Sequence, residues 1–221
     1  MRSRTGLLSA SRPLRPRVTW AANGCFVAGS ECFAGVASAV PLGGLNLTGQ
    51  RNVFRKCQIA GIGHASMDIA GAYSLKLAAA QENYFDECYI GLDTVTLGAA
   101  ANSQILCSAA ATRNIFKKCI IATYTNHATN NNFLRAPTGS LDRWMIFDDC
   151  LFINPVDASS TALTQAAIVA SDAGGSVLIS GSTSVVGATD FNSTDSGNVR
   201  ALLGGAATTA TTLGLGLALT R

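Results

Sequence analysis

The side chains that could do chemistry in this chain come in a few tight groups. Asp86-Glu87 and Asp148-Asp149 are two pairs of adjacent acids, and paired carboxylates are the working parts of glycoside hydrolysis, where their separation sets the stereochemical outcome. Cys57, Cys88, Cys119 and Cys150 follow one another at a constant step of 31; four thiols are enough for a metal site or for two disulfides. His64 and His127 are the only histidines and stand far apart in the chain. Neither shares a short motif with Cys or Glu at ligand spacing, so both read as surface-loop residues rather than as zinc ligands or an acid–base pair. Asp68 and Asp93 are single acids in the connections after cysteine segments and read as solvated loop residues. No GxGxxG, P-loop, GxSxG or HExxH pattern occurs in a supporting context.

What these groups can do depends on the elements that carry them, and those elements repeat. Asn52-Val-Phe54-Arg-Lys-Cys57-Gln-Ile59 recurs as Asn83-Tyr-Phe85-Asp-Glu-Cys88-Tyr-Ile90, as Asn114-Ile-Phe116-Lys-Lys-Cys119-Ile-Ile121 and as Met145-Ile-Phe147-Asp-Asp-Cys150-Leu-Phe152, with the same step of 31 each time. One further step reaches Leu178 and Gly181 in a degenerate fifth copy, and one step back from Cys57 reaches Phe26, beside Cys25, in an incomplete first one. Each unit has a second apolar run (Tyr73–Leu77, Gln104–Cys107, Phe133-Leu134, Ala167–Val169), followed in the first two by a small-residue corner such as Ala78-Ala79-Ala80. Cys57 and Ile59, two apart, share one face of a strand, and Phe54 joins them inside only if the two charged residues between turn a corner. Strand, corner, strand at fixed spacing predicts an all-β, single-stranded right-handed parallel β-helix, a solenoid of about 31 residues per coil.

Stacked coils place equivalent residues roughly 4.8 Å apart. The corner pairs then read basic, acidic, basic, acidic (Arg55-Lys56, Asp86-Glu87, Lys117-Lys118, Asp148-Asp149). Each faces opposite charge on its neighbours, which favours in-register stacking by roughly 0.2 to 1 kcal/mol per pair. The two acidic corners lie roughly 9.6 Å apart, at the edge of the roughly 6.5 to 9.5 Å window of inverting glycosidases. With Lys117-Lys118 between them, however, their carboxyls are held ionised and make poor proton donors. A charge ladder is therefore expected, not a catalytic dyad. The four cysteines form a column of parallel side chains, expected to be buried free thiols, since a column is not a tetrahedron. Cys25, Cys32 and Cys107 fall outside that column. No residue is assigned to catalysis, cofactor or metal.

Composition fits this picture. The 221 residues include only 16 Lys or Arg and 13 Asp or Glu, and 48% are hydrophobic; this excludes a disordered chain, while scarce Glu and Lys disfavour helical bundles. Residues 1–22 form an Arg-rich arm in which Arg2, Arg4, Arg12, Arg15 and Arg17 have no acidic neighbour, suited to weak contact with nucleic acid or an acidic subunit. It lacks the apolar core of a secretory signal, so the Asn46-Leu-Thr48 and Asn192-Ser-Thr194 glycosylation patterns carry little weight. The β-helix is expected over 23–186, and 187–221, rich in Gly, Ala and Thr, as a cap or assembly arm. No membrane span is expected.

The Asn-x-Phe-x-x-Cys-x-Ile unit, with Gly91-Leu-Asp-Thr94 after Ile90 and the run from Arg143 to Phe152, resembles right-handed parallel β-helix virion proteins of tailed bacteriophages over roughly 48–197. The resemblance implies a multi-copy, often trimeric, structural role. The expectation is a non-enzymatic capsid-associated decoration or cement protein on the virion, with copies of itself and the major capsid protein as partners. The alternative is a tail fibre or spike module that binds or cleaves host polysaccharide. No catalytic motif of the phage depolymerases carries over position by position.

Overall fold

The computed structural model describes residues 18–35, 37, 43–98, 100–191, 198–203 and 206–209. They form an all-β solenoid of about five turns with about 31 residues per coil. Apart from one 3-10 turn at Ala65–Met67, every regular element among the described residues is a strand. Arg2, Arg4, Arg12, Arg15 and Arg17 lie outside the described residues, as do Asn192-Ser-Thr194 and the end of the tail from 210 onward.

Three sheets run the length of the solenoid, each built from one strand per coil. Sheet A begins Val18–Trp20, Gly43–Leu47, Tyr73–Ala78 and Asn102–Ser108, sheet B begins Phe26–Ala28, Val53–Arg55, Tyr84–Asp86 and Asn114–Lys117, and sheet C begins Glu31–Phe33, Gln58–Ala60, Tyr89–Gly91 and Ile120–Ala122. Pairing is parallel throughout until the last strand, Ala206–Thr209, turns back antiparallel on Val199–Leu203. The sheets reach further than the sequence reading placed them. Val18–Trp20 already pairs with Leu45–Leu47; beyond position 187, Ala188–Asp190 lies beside Leu163–Gln165, and Val199–Ala201 adds to sheet B.

The B-to-C corner follows from the repeat. Its second charged residue sits in the left-handed region at every full coil, with φ 51° at Lys56, 53° at Glu87, 51° at Lys118 and 54° at Asp149. Non-glycine residues adopt this conformation only where the surroundings enforce it. Here the enforcing partner is the next coil, because the N–H groups of Lys56, Glu87 and Lys118 each donate 2.9 Å to the carbonyl of Asp86, Lys117 and Asp148. The inter-coil ladder thus continues through the bend.

This bend turns Phe54, Cys57 and Ile59 inward together. Phe54, Phe85, Phe116 and Phe147 pair in register and stack with ring centroids 5.1, 4.6 and 4.7 Å apart, interplanar angles of 13° or less. Trp20 closes one end of the stack edge-on; at the other, Ile179 lies over Phe147 on the next coil, and Phe152 of its own coil meets Phe147 edge-on. The third wall of the core is sheet A, where Leu45, Leu75, Ile105 and Leu134 form an inward column. Cys107 belongs to the next such column, beside Leu77, and Cys32 to the isoleucine column, beside Ile59.

Both ends depart from the step of 31. In the first coil Val53 pairs with Phe26 and Phe54 with Val27, a step of 27. Val27 therefore takes the inward place, and Phe26 points out, 67% exposed. In the fifth copy one extra residue by sheet B and a second by sheet C shift the pairing, so Phe147 faces Ile179 rather than Leu178 and Phe152 faces Val185 rather than Thr183. The amide of Cys150 meets Thr183, whose hydroxyl accepts from it at 3.1 Å, rather than Gly181.

Candidate functional site

The corner between sheets B and C carries most of the residues singled out as candidates. Arg55 pairs with Asp86 at 3.2 Å, Lys56 with Glu87 at 3.4 Å and Lys117 with Asp148 at 3.2 Å. A second alternating column stands at the other edge of sheet B. Arg51, Glu82 and Arg113, at the same step, link three coils through Glu82, which receives a hydrogen bond from each arginine. Their bends too are left-handed, with φ between 54° and 56°.

These partners decide what the acids can do. The Ser180 hydroxyl, donating at 2.8 Å, and the Lys117 ammonium hold Asp148 below the usual carboxylate range. Arg51 and Arg113 do the same for Glu82, and Asp148 in turn raises Lys117. Such carboxylates stay ionised at neutral pH and do not deliver protons. Asp86 and Asp148 stand on alternate coils with Lys117 between them, the arrangement of a ladder.

The thiol column lies inside the same corner. Cys88, Cys119 and Cys150 donate to the carbonyls of Phe54, Phe85 and Phe116, and all seven cysteines are free. Hydrogen bonding within the column, chiefly with Cys150, and burial push the Cys119 thiol up, and full burial raises Cys107 to about 12. Cys107 and Cys119, held protonated in this way, are neither nucleophiles nor ready metal ligands. Among the described residues no three His, Cys, Asp or Glu side chains are grouped to hold a metal, and no helix is long and apolar enough to cross a membrane.

Asn52, Asn83 and Asn114 form a ladder that the repeat displays and that the reading by chemistry passed over. All three are buried. The Asn83 carboxamide oxygen accepts from both the backbone N–H and Nδ2 of Asn52 at 3.0 Å, and Asn114 does the same for Asn83 at 3.1 Å. Each Nδ2 also reaches back to a carbonyl of Ala22, Gly49 or Ala80. Met145 ends the series, because at the fourth coil the sequence has no carboxamide to offer.

On the opposite side, loops run from sheet C to sheet A. Asp68 is not a solvated acid there. It accepts from the Gly98 N–H and from Asn102 Nδ2, both at 2.6 Å, and so stitches one loop to the next. Met67, Ala72 and Leu97 bury a small apolar cluster beneath these loops. Asp93 is exposed, as expected. His64 caps the short 3-10 turn by accepting from the Ser66 N–H, and His127 accepts at 3.5 Å from Thr129 in a loop two coils on. Interior polar groups also join sheets A and C: Ser74 donates to Gln104, and Gln104 to Thr123. The corner charges, the asparagine ladder and Asp68 tie one coil to the next, whereas the two histidines bond within their own loops.

No family model, no curated protein and no solved structure matches the chain.

Proposed function

We propose that the chain is a non-enzymatic structural protein of a bacteriophage particle, held on the capsid in many copies as a decoration or cement protein. Its partners in this role are copies of itself and the major capsid protein, with the arginines of residues 1–17 available to an acidic subunit or to nucleic acid. The observation that carries the reading is the disposition of charge. The corner acids and bases neutralise each other along the solenoid. Between the corners, from the second coil on, the outward residues of sheet B are Val53, Tyr84, Ile115 and Ile146, and those of sheet C are Gln58, Tyr89, Ile120 and Leu151. Uncharged walls of that kind suit burial against neighbours rather than turnover of a soluble substrate.

Imaging of intact particles with antibody against the chain tests the proposal. Label on the head is expected; label confined to the tail, or none on the particle, overturns it. Release of reducing sugar from host polysaccharide by the purified chain would replace it with an enzymatic reading.

A further inference from the structure

The outward face of sheet B departs from the pattern of a sheet with one solvated side. Such strands alternate apolar inside with polar outside. Here the outward residues Val53, Tyr84, Ile115, Ile146 and Leu178 are in register and only half-buried, so a continuous apolar column runs up the outside. It extends at one end to exposed Phe26.

This column is framed by two rows of charge, and their order selects a partner. On one side stand Arg55, Asp86, Lys117 and Asp148; on the other, Arg51, Glu82, Arg113 and then Trp144. Consider a second copy laid on this face. A two-fold axis parallel to the solenoid swaps the rows at constant height, setting Arg55 against Arg51, Asp86 against Glu82 and Lys117 against Arg113, like charge against like in all three, and Asp148 against Trp144. A two-fold axis perpendicular to the solenoid, running along the strands, instead keeps each row on its own side and reverses it. Arg55 then meets Asp148, Asp86 meets Lys117 and Glu82 meets Arg113, while Arg51 lies opposite the Trp144 ring, a favourable cation–π partner. Tyr84 packs on Ile115, and Val53 on Ile146. Like charges juxtaposed across an interface are costly, so the face discriminates between the two orientations.

We infer that the outer face of sheet B is the interface of an antiparallel, isologous homodimer whose two-fold axis passes between the coils of Tyr84 and Ile115. It deepens the proposed assembly role by naming the self-contact, and rests on that reading only for the expectation of a self-partner. The face spans roughly 25 Å by roughly 13 Å at sheet spacings. That lies below the size of stable interfaces, so weak association, with a Kd of roughly tens of micromolar, is expected.

The test uses the full chain with the partly exposed Cys25 and Cys32 changed to Ser. Sedimentation at roughly 100 μM should show a dimer, weakened by salt. Ile115→Lys, on the outer face, should weaken association at least about tenfold with unchanged circular dichroism; Tyr84→Lys serves if that variant misfolds. Orientation is read by mixing chains carrying Tyr84→Cys with chains carrying Ile115→Cys under mild oxidation. An excess of the mixed disulfide over the two self-disulfides is expected. A monomer at that concentration, a dimer indifferent to both lysine variants, or an excess of self-disulfides overturns the inference. A dimer in solution, with no label on particles, would leave the inference standing and remove the proposed function; a monomer with labelled heads would do the reverse.

Discussion

The wedge of sheets B and C and the side formed by sheet A with its loops obey different rules. Along the wedge, register advances by 31 at every full coil, for Phe54 to Phe147 and for Ile59 to Phe152 alike. On sheet A the steps are 30, 30, 29 and 33, from Leu45 to Leu75, Ile105, Leu134 and Ala167. The offset from Ile59 to Leu75 is 16, from Ile90 to Ile105 it is 15 and from Ile121 to Leu134 it is 13, while the return to the next phenylalanine grows from 10 to 11 to 13. The total is preserved although its parts slide. The wedge has no slack: the short span from Phe54 to Ile59 must place three side chains inside, turn a left-handed bend and keep the ladder. The loop side has slack because its connections carry their own hydrogen bonds and a small apolar cluster.

Insertions break this comparison most severely. One residue inserted between Lys117 and Lys118 moves either Phe116 or Cys119 off the inward face, because a slip of one residue reverses every side chain. Loss of the cooperative transition in urea is expected for that variant. The same insertion after Thr94, in a loop, should leave the transition in place and shift its midpoint only slightly. Truncation of the stacked column comes next: Phe116→Ala should cost about 3 to 5 kcal/mol, measured by denaturant titration, from lost transfer energy and an unfilled cavity between two rings.

A smaller loss sharpens the role of the asparagine ladder. Asn83→Ala leaves the buried N–H of Asn52 without its acceptor and should cost about 1 to 3 kcal/mol by the same titration. The smallest effect belongs to the exposed charges. Glu82 and Asp148 have lowered carboxyl pKa values, so the stability they contribute is present above the unfolded carboxylate range and is lost as pH falls through the folded values. Glu82→Gln should lower stability at neutral pH and flatten the acid limb of a thermal melt recorded from about pH 7 to about pH 3; an acid limb as steep as the parent's would remove the ladder's electrostatic share.

The wedge was legible in the sequence because its constraint is local: Phe, two charges, Cys and Ile recur with nothing inserted, and that spacing has one folded solution. Sheet A was legible only as apolar runs, since the sliding of Leu75, Ile105 and Leu134 leaves no fixed offset. The end coils misled for the same reason, because steps of 27, 32 or 33 are invisible when the aromatic and the thiol are missing. The charge ladder could be foreseen from Arg55 to Asp148, and the column of Arg51, Glu82 and Arg113 carried the same signal at the same period. Asp68 could not be foreseen, since its partners Gly98 and Asn102 lie on the next coil, in loops of unequal length.

The constant length of the central coils also shapes how the chain folds. Each full coil from Phe54 to Phe147 closes a loop of the same size onto a template already in place, so each closure carries a similar entropy cost and gains a similar set of contacts. The slow step is then the first pairing of two coils, after which growth proceeds outward in both directions. The coils with the tightest ring stacking, those of Phe85, Phe116 and Phe147, are the natural nucleus. Backbone amides from Tyr84 to Phe152 should therefore be the last to exchange with solvent, and protection should decline toward Val18 and Thr209.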